Sequence, residues 1–125
     1  MATILVIEDD PYVRRFYARL FKFKNYEVEM AESGVSGIAK AKEMVPNLIL
    51  LDILMPGMDG FAVLKELKAD PVTKDCVVVV LTNLGDNQTV KKALSLGAGG
   101  FIIKANAPPE DLIKIVDSYL NAAPK

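Results

Sequence analysis

The sequence has no histidine and no tryptophan, and Cys76 is its one cysteine. Without histidine, Ser-His-Asp and Cys-His nucleophiles and His-ligated zinc sites are excluded; a single thiol excludes an internal disulfide and any CxxC site. Long apolar runs are also missing. The longest, Cys76 to Leu81, is far too short to span a bilayer, and Met1-Ala2-Thr3 opens no signal peptide, so a cytoplasmic protein is expected. Nor is there an excess of one charge. Fifteen basic against sixteen acidic residues leave a net charge of −1, without the positive surplus that phosphate-backbone binding uses, so nucleic acid is not expected as a direct partner. What is present is a chain of 125 residues, 51% hydrophobic. That suffices for one domain over 1–125 that buries roughly two thirds of its unfolded surface.

Five apolar, β-branched runs stand out: Thr3 to Ile7, Tyr26 to Met30, Leu48 to Leu51, Val77 to Leu81 and Phe101 to Ile103. A helical pattern follows each one. After Pro11, Val13, Phe16, Tyr17 and Leu20 form an apolar face, with Arg14, Arg15, Arg19 and Lys22 on a solvated one. Ser33 to Met44 opens at an N-cap serine and stops before Pro46. Phe61, Leu64 and Leu67 mark a helix ending near Asp70-Pro71; Thr89 to Leu96 runs into Gly97; and Pro109 to Leu120 closes the series. Alternating strands and helices predict a three-layer α/β domain with a parallel five-stranded sheet in the doubly wound order 2-1-3-4-5.

On that frame the polar residues gather at one edge. Glu8, Asp9 and Asp10 follow the first strand, Asp52 the third, Thr82 the fourth and Lys104 the fifth, all at C-terminal strand ends, where open α/β sheets bind ligands. Carboxylates brought together there repel one another unless a cation sits among them, and oxygen donors without nitrogen or sulfur favour Mg²⁺. A lysine and a hydroxyl beside such a cluster suit a phosphoryl group.

The segments Ile4-Leu5-Val6-Ile7-Glu8-Asp9-Asp10-Pro11, Leu50-Leu51-Asp52-Ile53-Leu54-Met55-Pro56-Gly57-Met58-Asp59-Gly60, Leu81-Thr82, Gly97-Ala98 and Lys104 make the chain resemble the receiver domain of bacterial two-component response regulators. The resemblance implies a flavodoxin-like receiver fold and a regulator in a phosphorelay, without enzymatic activity beyond its own phosphorylation and dephosphorylation. Asp52 would be the phosphoacceptor, taking its phosphoryl group from a phosphohistidine on a sensor kinase or histidine phosphotransfer protein. Asp9, Asp52 and the main-chain carbonyl of Leu54 would hold Mg²⁺, with Glu8 assisting through a coordinated water. Thr82 and Lys104 would bind the phosphoryl group. Inward movement of Thr82 and of the switch aromatic Phe101 would remodel the surface of the fourth helix, fifth strand and fifth helix for a downstream protein.

The sequence also departs from the family pattern. Ala105 replaces the proline common after the lysine, and Asn83 replaces a small residue. Leu54 and Leu84, at the positions that tune hydrolysis, cannot orient an attacking water, which implies a long-lived phosphoryl group. Gly99 and Gly100 replace an acidic pair common in receivers that dimerise through the last face, so a monomer or weak dimer is expected. Cys76 reads as a buried small apolar residue. A stand-alone receiver is the favoured reading. A receiver excised from a transcription factor or hybrid kinase would read the same, whereas a magnesium phosphatase of haloacid-dehalogenase type lacks its second aspartate, because residue 54 is leucine.

Overall fold

The computed structural model describes residues 2–55, 57–82, 87–103 and 108–122, with side chains described through Leu120. Ten elements alternate along the chain: β1 (Thr3–Ile7), α1 (Pro11–Phe23), β2 (Glu27–Ala31), α2 (Gly34–Met44), β3 (Leu48–Asp52), α3 (Gly60–Ala69), β4 (Val77–Thr82), α4 (Asn87–Ser95), β5 (Gly100–Ile103) and α5 (Pro109–Ala122). All the strands pair in parallel, in the expected order β2-β1-β3-β4-β5.

The period of two along each strand divides the core into two layers. Ile4 and Val6 of β1 join Leu48, Leu50, Val79 and Leu81 under α1 and α5, which contribute Tyr17, Phe21, Leu112 and Val116. Leu5 and Ile7 join Ile49, Leu51, Val78 and Val80 under α2, α3 and α4, which contribute Ile38, Ala41, Val63, Leu64, Leu67 and Ala93. Such burial on both faces explains why the central strands read as continuous apolar runs. Helices α1, α2 and α3 each start at a side chain that accepts from free N–H groups of the first turn. Asp10 accepts from Tyr12 N (2.8 Å) and Val13 N (3.3 Å), Ser33 and Ser36 form a reciprocal capping box, and Asp59 accepts from Ala62 N (2.9 Å).

The element boundaries differ from expectation by one or two residues, for visible reasons. Tyr26 belongs to the close of α1 rather than to β2: its N–H donates to Phe21 O (3.1 Å) and its ring tilts against that of Phe21, 6.4 Å away. Asp52 and Thr82 are the last residues of their strands and not the first beyond them, because Asp52 stays in register with Leu81 and Ile53 N still donates to Leu81 O (3.2 Å). Gly100 opens β5, and the phenol of Tyr119 occupies the space a Cβ there would need. At the opposite end of the sheet Cys76 is buried as expected, and Lys68 donates to its carbonyl (2.6 Å). No helix among the described residues is long and apolar enough to cross a membrane.

Candidate functional site

The strand order reverses at β1 and β3, and the crevice beyond their C-terminal ends holds the acidic residues. One carboxylate oxygen from each of Glu8, Asp9 and Asp52 lies within 4.8 Å of the others. Glu8 and Asp52 are buried, and Asp9 is half-buried. Thr82, also buried, ends the strand next to Asp52, one position past that residue's partner Leu81. The cluster offers only hard oxygen donors, a set that suits Mg²⁺ or Mn²⁺ and is wrong for zinc or copper. The site therefore fits the cation that the sequence implied.

Local backbone bonding fixes these positions. Glu8 N donates to Ala31 O (3.0 Å), which carries the end of β1 into the loop beside β2. The Leu54 N–H donates to Asp52 Oδ1 (3.3 Å) and so keeps the main chain of residue 54 beside the cluster. Gly60 N donates to Ile53 O (3.0 Å), and a Cβ at Gly60 would lie 2.5 Å from Asp52 O and 2.6 Å from Ile53 Cα. Only glycine lets α3 start this close behind the phosphoacceptor candidate.

Three residues depart from the sequence expectation. Asp10, placed with the converging carboxylates, is exposed and spends its side chain on the α1 N-terminus. Arg14, assigned to the solvated face, is half-buried: its Nη1 donates to Glu8 O (2.9 Å) and Asp9 O (2.8 Å), so it clamps the loop that carries both acids. Phe16, assigned to the apolar face, is 44% exposed. Tyr17 was placed only as a core residue, yet its phenol is pushed up to about 12, by burial first and then by the negative charges of Glu8 and Asp52. Spacing along α1 could not reveal this, since Glu8 and Asp52 approach Tyr17 only once β1 and β3 are paired. Phe101 lies in β5, 39% exposed. Lys104, Ala105, Asn83 and Leu84 lie outside the described residues.

Fold and site together define an open, doubly wound α/β domain with an oxygen-donor cluster at its switch point. Residues 4–117 match the family model described as the response regulator receiver domain. The chain is 36% identical over 117 residues to the chemotaxis protein CheY of Treponema pallidum, covering 91% of this chain and 77% of that one. It is 34% identical over 115 residues to the transcriptional regulator RpaA of Synechocystis, covering 92% of this chain and 48% of the regulator. The chemotaxis protein CheY4 of Vibrio cholerae superposes with a TM-score of 0.90 at 28% identity, over 95% of this chain and 98% of that one. This chain belongs to the response regulator receiver domain family of two-component systems. It spans about half the length, or less, of the first curated relatives it matches.

Proposed function

We propose that residues 1–125 act as one receiver unit in which Asp52 accepts a phosphoryl group from a phosphohistidine of a sensor kinase or histidine phosphotransfer protein. The observation that carries this reading is the convergence of the Glu8, Asp9 and Asp52 carboxylates at one buried strand edge, with the Thr82 hydroxyl on the neighbouring strand. A carboxylate oxygen of Asp52 attacks phosphorus, the P–N bond to the imidazole breaks, and the released imidazole takes its proton from solvent. The product is an acyl phosphate. Glu8, Asp9, Asp52 and the Leu54 main-chain carbonyl would hold Mg²⁺, which when bound offsets the negative charge gathered between acceptor and donor. The protein's own work is positioning, as expected for phosphoryl transfer. Asp52 is fixed at the end of β3 by its register with Leu81 and by the close start of α3 at Gly60.

Thr82 then donates its hydroxyl to the new phosphoryl group, and Lys104 pairs with it. Movement of Thr82 toward the phosphoryl group opens the space into which Phe101 swings, and this changes the α4–β5–α5 surface that a downstream protein reads. The only reaction is the chain's own phosphorylation and dephosphorylation, so the function is regulatory. The exposed side chain of Leu54 offers no group to orient a hydrolytic water, which supports a long-lived acyl phosphate. Incubation with Mg²⁺ and acetyl phosphate should add one phosphoryl mass, absent in Asp52→Asn and when the cation is chelated. An unmodified wild-type protein would overturn the assignment.

A further inference from the structure

Helix α1 carries an aromatic stripe that its own fold leaves uncovered. Tyr12, Phe16 and Phe23 are 78%, 44% and 85% exposed. With Arg19 they recur at i, i+4, i+7 and i+11, which is one side of the helix. Taking about 200 Å² for each aromatic side chain, these fractions leave about 400 Å² of ring surface in water on a single helix. That is about half of the roughly 800 Å² per partner in a stable protein interface. Contiguous exposed patches of this size mark interaction sites.

The charges say what covers the stripe. Helix α1 contains Arg14, Arg15, Arg19 and Lys22 and no acidic residue; α5 contains Glu110, Asp111 and Asp117 against Lys114. Arg14 is engaged by the carbonyls of Glu8 and Asp9, but Arg15, Arg19, Glu110 and Asp117 form no ion pair with any described residue. The two helices touch on the same face of the sheet, so a twofold axis between them would lay α1 of one copy along α5 of the other. Arginine then meets carboxylate twice by symmetry, whereas pairing α1 with α1 would set cation against cation.

We propose that this face binds a second copy of the chain: the α1 aromatic stripe packs on the partner's α5, with Arg15 and Arg19 of each copy paired to Glu110 and Asp117 of the other. This interface is separate from the Asp52 site and shares only α5 with the α4–β5–α5 output surface. Sedimentation velocity on the 125-residue chain, from micromolar to millimolar concentration, tests it. The wild type should pass from monomer to dimer. The double variant Arg15→Glu/Arg19→Glu and the double variant Glu110→Arg/Asp117→Arg should each weaken self-association about tenfold or more. An equimolar mixture of the two should recover the dimer as a heterodimer, which no other pairing of faces predicts. Phe23→Lys, at an exposed position that cannot disturb the core, should also weaken the dimer. A wild type that stays monomeric throughout, charge variants that dimerise as the wild type does, or a mixture that stays monomeric would each overturn the proposal and leave the stripe to a different protein.

Discussion

Asp9→Asn keeps the shape of the side chain and removes one of three like charges whose oxygens lie within 4.8 Å of one another. At an effective dielectric near 20, two unit charges at that separation repel by about 3.5 kcal/mol, and Asp9 takes part in two of the three pairs. Much of this is screened. Asp9 is half-exposed, and the Arg14 guanidinium lies against the carbonyls of Glu8 and Asp9 at 2.9 and 2.8 Å. A net gain of about 1–2 kcal/mol in the absence of a cation remains, equivalent to a rise of roughly 3–10 °C in melting temperature for a domain of this size. Binding should reverse the order. The wild type gains stability in proportion to RT ln(1 + [Mg²⁺]/Kd), whereas the variant has lost a charged donor and gains much less. Thermal unfolding by circular dichroism, in EDTA and in millimolar Mg²⁺, should therefore show the variant above the wild type without the cation and a smaller response with it. A variant no more stable than the wild type in EDTA would refute the electrostatic reasoning, and an unchanged response to Mg²⁺ would refute the role of Asp9 as a ligand.

Gly60→Ala forces a methyl group against the backbone of Asp52 and Ile53, which cannot yield as a flexible side chain would. It should cost about 2 kcal/mol or more in urea unfolding and slow acetyl phosphate labelling of Asp52; wild-type behaviour in both would show that the close approach is unimportant. Tyr17 supplies a pH dependence. Its folded pKa of about 12 exceeds the ordinary 10.0, so its contribution is fully present below pH 10 and is lost as the pH climbs toward 12. Tyr17→Phe should flatten the alkaline limb of stability against pH, whereas an unaltered limb would mean that the phenol titrates normally. Burial pushes the Cys76 thiol up, so a thiol reagent should label native protein slowly and unfolded protein at once; rapid labelling of native protein would contradict the packing.

The layered architecture was legible in the sequence because each segment carries its own period. Continuous β-branched runs such as Val77 to Leu81 demand cover on both faces, and the spacing of Leu64 and Leu67 or of Leu112 and Val116 demands a helix that supplies it. The acidic site was legible for a related reason. A residue that follows a parallel strand lies at the C-terminal edge whatever the loops do, so Glu8, Asp9, Asp52 and Thr82 could be assigned to one rim from chain order alone. Only the tertiary structure decided which rim residues meet. Asp10 turns away because the open N–H groups of Tyr12 and Val13 claim its carboxylate, and Arg14 turns in because two carbonyls of the preceding loop await a donor. Tyr17 acquires its raised pKa first from burial in the packed core and then from charges 9 and 35 residues away in sequence, at Glu8 and Asp52. The uncovered stripe on α1 belongs to the same class of fact. Periodicity distinguishes apolar from polar positions, but whether Phe16 and Phe23 are covered depends on how far the sheet and α5 extend beneath them, and that is settled only by the packing of the whole chain.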